Sequence, residues 1–425
     1  MKSRFHKYEV KITIYSLRRR NGGDPSIFWE KRLSMKILMY SHDSYGLGHL
    51  RRTLTLAEAF VERNRDASAL ILTGSTVSDA FRLPWGVDIV KLPSAVKVAN
   101  QVYESSRMPI GFESLKDLRS GLILSAAEAF GPDVFVVDKA PLGMKREVYP
   151  TLEYFRDSRP STLTVLGLRD VLDDPGYIRR HWKEGRIAEA IEEFYDLMLV
   201  YGPREVYDPL PEYGLSEEAL DRSHYVGYIG RNPAPETDTY SPFRPGYVLV
   251  TAGGGGDGFH LIENYLQCLK GTEPSFESLV VTGPLMDDGA KREIEHLARG
   301  LRVRVMEFRP DMNRLIKWAG AVVTMGGYNT TVELLAARKS ALIVPRVEPR
   351  VEQLIRAEQL ADLGLVEMIH PNDLTPGLMR SKVEELLKRE PVSMPPVEVD
   401  LSGAARAVDL VTARMAEKRA IALGA

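Results

Sequence analysis

Short apolar runs alternate with amphipathic stretches from Met35 almost to the end of the chain, and this alternation limits the possible folds more than any other feature. It is typical of βαβ units, in which helices connect parallel strands. The pattern occurs twice, and a segment with four prolines, residues 231–246, separates the two series. We therefore predict an α/β fold with two Rossmann-like doubly wound domains that face a cleft, with ligands at the carboxyl ends of the strands.

The predicted elements fall into two series. The predicted strands are 36–40, 69–73, 88–91, 134–137, 162–167 and 197–201 in the first series, and 247–251, 278–282, 302–307, 321–324, 341–344 and 366–369 in the second. The predicted helices include 50–63 and 183–195, then 260–270, 290–298, 311–318, 330–337, 352–363 and 378–388, and a final amphipathic helix at 402–420. The chain then divides into a basic extension at 1–34, a first domain at 35–235, a second domain at 246–395 and a C-terminal helical segment at 396–425.

The first 34 residues differ from the rest of the chain because they carry nine Lys and Arg residues against three acidic ones. Met35 opens a clean strand. We therefore expect residues 1–34 to be either disordered or a start-site artefact, with translation beginning at Met35. A basic arm that contacts anionic lipid or nucleic acid is the alternative.

Composition excludes several classes of protein. Lys and Arg number 56 and Asp and Glu 58, so the net charge of −2 gives no broad basic field for duplex DNA, and we expect no nucleic-acid partner. The single cysteine, Cys268, can form neither an internal disulfide nor a Cys-rich zinc site. Apolar runs are all shorter than a membrane span. We expect a cytoplasmic protein with at most peripheral membrane contact.

The first glycine-rich turn, Gly46-Leu-Gly48-His49, follows the first predicted strand. Its glycines, Gly46 and Gly48, allow a close approach of the backbone to a ligand. A helix N-terminus disfavours the charged imidazole, so His49 is a candidate general base. The alternative is a loop histidine bonded to the backbone.

Three further polar residues follow strands of the first domain. Asp138 and Asp170 each end a predicted strand, and both are secondary candidates for the base or for acceptor contacts. Arg169 is a candidate for binding an anionic acceptor, although an Arg-Asp pair in a loop is more often structural.

Four successive glycines, Gly253 to Gly256, form the second turn, directly after the strand at 247–251. Glycine costs backbone entropy on folding, so this run requires a reason, and phosphate binding by exposed amides supplies one. No Lys-Ser/Thr pair follows, as a P-loop would require. A merely flexible loop is the alternative.

The third turn follows the strand at 321–324 and ends at Glu333, one turn into a helix. Its glycines and donor side chains suit a diphosphate, and the carboxylate suits the vicinal hydroxyls of a ribose. Glu333 as an ordinary first-turn residue of the helix is the alternative. The diphosphate candidates in this turn are Gly326, Gly327, Asn329, Thr330 and Thr331.

No metal site is predicted. The pair Asp173-Asp174 precedes Pro175 and is typical of a turn, and we find no convincing Asp-x-Asp on a loop between strands. Fixed amides and helix N-termini can hold the charge that develops on a diphosphate without a metal ion. We therefore expect metal-independent chemistry and no cofactor.

Residues 327–333, 345–353 and 305–312, together with Ala357, resemble the C-terminal domain of glycosyltransferase family 28. The resemblance covers about residues 247–387, and the first domain matches mainly at 46–49. It implies the GT-B architecture, with the donor on the second domain and a C-terminal helix that crosses back to the first. The acceptor would lie on the first domain, which puts Gly46, Gly48 and Arg169 on the acceptor side.

The resemblance also implies residue roles. Glu333 would bind the ribose hydroxyls, and the backbone of Arg309 would contact the nucleotide's uracil base. Gln353 would bind the donor sugar. The diphosphate would lie against Gly253, Gly254, Gly255 and the 327–331 turn. The implied reaction is metal-independent transfer of a hexose or N-acetylhexosamine from a UDP-sugar to an unknown acceptor, either a glycan, a lipid or a small molecule.

Other functions fit the same residues. A nucleotide-sugar hydrolase, in which the histidine activates water, and a UDP-sugar 2-epimerase share the architecture. A protein that binds a nucleotide sugar without turnover is the third class. The departures of this chain from the family, including Gly254 in place of a serine, leave the identity of the sugar open.

Overall fold

The computed structural model of the protein describes residues 35–42, 48–99, 102–230, 243–309, 311–389 and 397–422. The predicted extension at 1–34 lies outside the described residues, and so do the predicted domain limits at 235 and 395. These boundaries stay predictions. Gly46 also lies outside the described residues.

The first domain is built on a parallel sheet of seven strands, in the spatial order β3-β2-β1-β6-β7-β8-β9. Its central strands are buried along their whole length, as expected for a sheet with helices on both faces. The strands of this domain, including a separate antiparallel pair β4-β5, are β1 Lys36–Ser41, β2 Ser68–Thr73, β3 Val87–Lys91, β4 Ala95–Ala99, β5 Val102–Ser105, β6 Val134–Asp138, β7 Leu163–Arg169, β8 Leu197–Tyr201 and β9 Ser223–Tyr225.

The second domain repeats this design with a parallel sheet of six strands, in the order β12-β11-β10-β13-β14-β15. All predicted strands of both series are confirmed, with ends shifted by one or two residues. The strands of the second domain are β10 Val248–Thr251, β11 Ser278–Val281, β12 Val303–Met306, β13 Ala321–Thr324, β14 Ala341–Ile343 and β15 Glu367–Met368.

Helices connect the strands. They are α1 Gly48–Arg63, α2 Phe112–Phe130, α3 Tyr149–Ser158, α4 Pro175–Glu184, α5 Ile187–Phe194 and α6 Glu217–Asp221 in the first domain, and α7 Phe259–Leu269, α8 Asp288–Leu297, α9 Met312–Trp318, α10 Tyr328–Ala336, α11 Glu352–Asp362, α12 Pro376–Lys388 and α13 Gly403–Ala422 after it. Within the described part of the chain, no helix is both long and apolar enough to cross a membrane.

In each sheet, the order in which strands are added reverses beside its first strand, so that later strands lie on the other side of it. In the first domain, β1 pairs with β2 on one side and β6 on the other. In the second domain, β10 pairs with β11 and β13 in the same way. Ligands of doubly wound sheets bind at the carboxyl ends of strands beside such a switch point. All three predicted glycine turns follow strands at these switch points: β1, β10 and β13.

The last helix, α13, packs on the first domain, as predicted. It lies against α1, β7 and β8, and its Val408 and Val411 are buried. The Nζ of Lys418 donates to Asp196 Oδ2 over 2.6 Å. Arg419 forms an ion pair with Asp133. The end of the chain therefore belongs structurally to the first domain.

Two parts of the first domain differ from the prediction. The helix predicted at 183–195 is two helices, because the chain bends at Gly185 and Arg186, where Arg186 has a φ of +51°. The segment between β3 and β6 contains the β4-β5 pair and α2, which the sequence analysis did not predict. Apolar residues of α2 lie on its exposed face as well as its buried one, as Leu118 and Leu122 show, so its helical period is weak in the sequence.

Candidate active site

A cavity of about 190 Å³ lies between the carboxyl ends of the two sheets. Its walls come from the start of α1, the turn after β10, the turn after β13, and the loop before α9. Nine predicted site residues line it: Gly48, His49, Arg169, Gly253, Gly254, Arg309, Gly327, Asn329 and Thr330. The structure therefore brings acceptor-side and donor-side candidates to one place.

The imidazole of His49 is held by Asp138 at the end of β6. Its Nδ1 lies 2.5 Å from Asp138 Oδ2. The same carboxylate accepts hydrogen bonds from Arg52, with Nε 3.0 Å and Nη2 2.6 Å from Oδ1. Arg52 is fully buried and packs against the rings of Tyr201 and Tyr328, which come from different domains. Asp138 therefore lies behind the histidine, as its orienting partner.

Protonation states follow from these contacts. Burial alone would raise the pKa of Asp138, but the guanidinium of Arg52 and the hydrogen bond from His49 outweigh it and lower this pKa. Burial lowers the pKa of His49 to about 3, although Asp138 acts in the opposite direction. At neutral pH the carboxylate is charged and the imidazole is neutral. Nδ1–H then donates to Asp138, and Nε2 keeps a lone pair that can accept a proton.

The turn after β10 has two kinds of glycine. Gly253 has a φ of +65°, and a Cβ there would meet nothing within 4 Å, so its backbone is open towards the cavity. Gly255 has a φ of +96°, and a Cβ there would come within 2.3 Å of the Thr282 carbonyl oxygen. Gly255 does not line the cavity. Packing against the loop after β11 therefore gives a structural reason for Gly255, in addition to the phosphate binding that the sequence analysis proposed for the run.

In the turn after β13, Gly327 lies at the start of α10 and faces open space. The side-chain amide of Asn329 donates to the Gly48 carbonyl oxygen over 3.1 Å and so connects the two domains. Gly326 and Thr331 do not line the cavity: the Gly326 carbonyl accepts a hydrogen bond from Arg356, and Thr331 is buried.

Glu333, the predicted ribose ligand, forms an ion pair with Arg51 of the first domain. Its other carboxylate oxygen, Oε2, is buried without a hydrogen-bond partner among the described residues. Glu333 also lines a small recess next to the larger cavity, together with Arg51, Arg52 and Asn329. A buried carboxylate oxygen without a donor is costly, so a ligand hydroxyl would be favoured at this position.

Asp170 is engaged by the second domain. Its two oxygens accept from Nε and Nη2 of Arg356 at 2.6 and 2.7 Å. Both side chains are buried, and the pair connects the end of β7 to α11. Asp170 does not line the cavity and has no contact with His49, so its geometry suits domain attachment better than proton transfer.

Gln353 and Glu352 lie at the start of α11, and both contact Arg346 in the loop before this helix. The Gln353 Oε1 accepts from the Arg346 backbone amide over 3.0 Å. The Arg346 guanidinium contacts Glu352 and also Asp257 of the turn after β10, the latter over 2.7 Å. Glu352 Oε2 is buried without a partner in the described part of the chain. This network lies beside the glycine turn but does not line the cavity.

Four arginines of the site were missed by the sequence analysis: Arg51, Arg52, Arg346 and Arg356. One signal was present, because Arg52 lies three residues after His49 and therefore shares its face of α1. The partners of Arg51 and Arg356 are 282 and 186 residues away. No local pattern shows such pairs.

Among the described residues, no group of three or more His, Cys, Asp or Glu side chains is placed to hold a metal ion. The polar residues that line the cavity are instead glycines with backbone amides, a histidine, an asparagine, three residues with hydroxyl groups and four arginines. Of these, Arg169 is held away from solvent: burial lowers the pKa of its guanidinium to about 10, and its Nε has no partner among the described residues.

Comparison with solved structures shows the fold. The calicheamicin glycosyltransferase CalG4 matches with a TM-score of 0.60 at 18% identity, over 90% of this chain and 99% of that one. MurG of Acinetobacter baumannii matches with a TM-score of 0.56 at 14% identity, over 89% and 99%. The predicted architecture is confirmed: the chain has the GT-B fold.

The second domain matches a protein-family model. Residues 247–409 match the model of the glycosyltransferase family 28 C-terminal domain, which confirms the resemblance predicted from the sequence. The chain thus has a GT-B fold whose second domain is similar to the family 28 C-terminal domain.

Curated relatives agree with this assignment over part of their length. They are named UDP-N-acetylglucosamine--N-acetylmuramyl-(pentapeptide) pyrophosphoryl-undecaprenol N-acetylglucosamine transferase. The protein of Glaesserella parasuis is 31% identical over 112 residues, 26% of this chain and 31% of its own length. That of Haemophilus ducreyi is 23% identical over 270 residues, 61% of this chain and 73% of its own length. The first of these matches thus spans about a third of the relative.

Proposed function

We propose that this protein is a glycosyltransferase that moves a sugar from a UDP-sugar to an acceptor, without a metal ion. The observation that carries the proposal is the position of His49. Its imidazole, oriented by Asp138, shares one cavity with the backbones of Gly253, Gly254 and Gly327. A base and a set of anion-binding amides thus face each other across the cleft.

The reaction assigns a role to each side of the cavity. An acceptor hydroxyl oxygen attacks the anomeric carbon, and the bond from that carbon to the diphosphate oxygen breaks. The hydroxyl proton goes to His49 Nε2, and the bond electrons leave with the diphosphate of UDP. The amides of the turns after β10 and β13 stabilise this negative charge because they are fixed before the reaction begins.

The donor would lie along the second domain. The diphosphate would occupy the space between Gly253 and Gly327. The uracil ring of the nucleotide would lie near Phe308 and Arg309, which line the same cavity. The ribose would place a hydroxyl at Glu333 Oε2, the carboxylate oxygen that lacks a partner. Gln353 and Glu352 would contact the sugar, which we propose to be a hexose or an N-acetylhexosamine.

One series of incubations tests this function. The protein is incubated with a panel of UDP-sugars, with and without candidate acceptors, and released UDP and free sugar are quantified. Transfer predicts UDP release that depends on the acceptor, and the rate should be unchanged by EDTA. Rapid release of free sugar that no acceptor alters would show a hydrolase. Tight UDP-sugar binding with no turnover in any mixture would show a binding protein.

A further inference from the structure

A second cavity, of about 250 Å³, lies on the first domain at the ends of β6 and β7. Four cationic side chains line it: Lys139, Lys145, Arg146 and, from the second domain, Arg350. Apolar side chains, including Leu172 and Trp182, form another part of the wall. None of the described residues that line this cavity is acidic.

The two lysines of this cavity are poorly neutralised. The Nζ atoms of Lys139 and Lys145 have no hydrogen-bond or ion-pair partner in the described part of the chain. The closest carboxylate to Arg350 is Asp173, 3.7 Å away. Burial, together with repulsion from Arg169 and Arg350, lowers the pKa of the Lys139 amine well below its ordinary value. The carboxylates Glu352 and Asp138 also act on Lys139, but arginines already engage both.

The backbone also holds these cations in unusual positions. Lys139, Lys145 and Arg146 have φ values of 66°, 50° and 70°, in the left-handed region that residues with a side chain rarely adopt. Strained backbone of this kind persists only where the surrounding fold enforces it, and it is concentrated at ligand sites. Here it brings three cations to one cavity wall.

The cavity is next to the proposed base. Lys139 directly follows Asp138, which orients His49. His42 lines the cavity, and its ring packs edge-on against that of His49, with centroids 5.8 Å apart. A molecule in this cavity could therefore extend a hydroxyl towards His49.

We propose that this cavity binds the acceptor, and that the acceptor carries a phosphate or carboxylate group beside an apolar part. The inference rests on the proposed transferase function, because it names the substrate class of that same cleft. The anion would lie among Lys139, Lys145 and Arg350, and the apolar part against Leu172 and Trp182. Bound anion would also relieve the repulsion among the cations.

The test compares small probes that share a ring but differ in charge. Binding of phenyl phosphate, benzoate and uncharged benzyl alcohol to the full chain is measured by ligand-observed NMR with saturating UDP present, so that the diphosphate site is occupied. We expect phenyl phosphate or benzoate to bind at least tenfold more tightly than benzyl alcohol, and the stronger of the two identifies the anion. Equal binding of all three probes would overturn the proposal.

Variants locate the binding. The double substitution Lys139→Gln/Lys145→Gln should weaken binding of the anionic probe at least tenfold and leave UDP affinity unchanged. Lys183→Gln removes the same charge from an exposed position of α4 outside the cavity and should have no effect. If the double variant does not fold, Arg350→Gln tests the opposite wall. Unaltered probe binding in both folded variants would refute this site.

Different results would refute the acceptor proposal and the transferase proposal. UDP binding with no preference among the probes would refute the acceptor class and leave the transferase proposal intact. Absence of UDP binding would refute the transferase proposal, while the probe comparison would still decide whether the cavity binds anions.

Discussion

His49 and Asp138 form a pair between the start of α1 and the end of β6, with Nδ1 and Oδ2 2.5 Å apart. The two residues are 89 positions apart in the chain, and parallel pairing of β1 with β6 brings their elements together. Arg52 fixes the carboxylate from behind. The arrangement gives an imidazole that is neutral, oriented and open to the cleft on one nitrogen.

Replacement of His49 should separate catalysis from donor binding. We expect His49→Gln to lower the rate of UDP release by about 100- to 10,000-fold, the usual contribution of a general base. UDP affinity should change little because the proposed diphosphate contacts are amides elsewhere. Asp138→Asn should also slow the reaction, since an amide can stabilise the wrong imidazole tautomer. His260→Gln, at an exposed position, is the control. Loss of UDP affinity together with activity in His49→Gln would indicate a structural histidine.

The low pKa of His49 predicts a specific pH dependence. In the folded protein this pKa is about 3, whereas an unfolded histidine titrates near 6.5. Between these values the unfolded state binds more protons, so this group stabilises the fold less as the pH falls below about 6.5. NMR of ¹⁵N-labelled histidine rings should show His49 neutral at pH 5. The drop in melting temperature between pH 7 and pH 5 should be smaller in His49→Gln, and a charged His49 ring at pH 5 would contradict the prediction.

Glu333 should discriminate ribose from deoxyribose. Glu333→Gln is expected to weaken UDP binding about tenfold or more, the scale of a lost hydrogen bond to a charged group, and to affect 2′-deoxy-UDP less. Isothermal titration calorimetry measures both affinities. Glu358→Gln, an exposed residue of α11, is the matched control.

Arg51→Gln distinguishes a direct role of Glu333 from an indirect one. If Glu333 only positions Arg51, the Arg51→Gln variant should show the same loss of affinity and the same change in ribose preference. A loss confined to Glu333→Gln supports direct contact with the ribose.

The Asp170–Arg356 pair should contribute strongly to stability. Removal of one partner of a buried pair leaves an uncompensated charge and typically costs about 3–5 kcal/mol, so Arg356→Met should lower the unfolding free energy by that amount. Arg380→Gln, which breaks an exposed pair with Glu384, should cost at most about 1 kcal/mol. Urea denaturation compares the two, and equal losses would show that the buried pair has no special role.

Much of the fold follows from local sequence patterns, because apolar runs of strand length directly encode buried parallel strands. The turns that carry Gly48, Gly253 and Gly327 were also predictable, since glycines after such strands are visible in the sequence. The cavity confirms that these turns meet. The assigned roles of the individual residues stay predictions.

The contacts between domains could not be predicted. Arg51 meets Glu333 only because the two sheets adopt one particular relative orientation, and no local pattern specifies that orientation. One reason for the glycine run was hidden from the sequence in the same way: Gly255 is required by a neighbour in the loop after β11, and that neighbour is distant in sequence.

The return of α13 to the first domain means that the chain passes between the domains twice, after residue 230 and again before residue 397. Two chain connections restrict the relative motion of two domains more than a single connection does. With both connections intact, the second domain cannot rotate freely about the first. Removal of α13 would therefore both expose the surface of α1 and release the second domain to rotate.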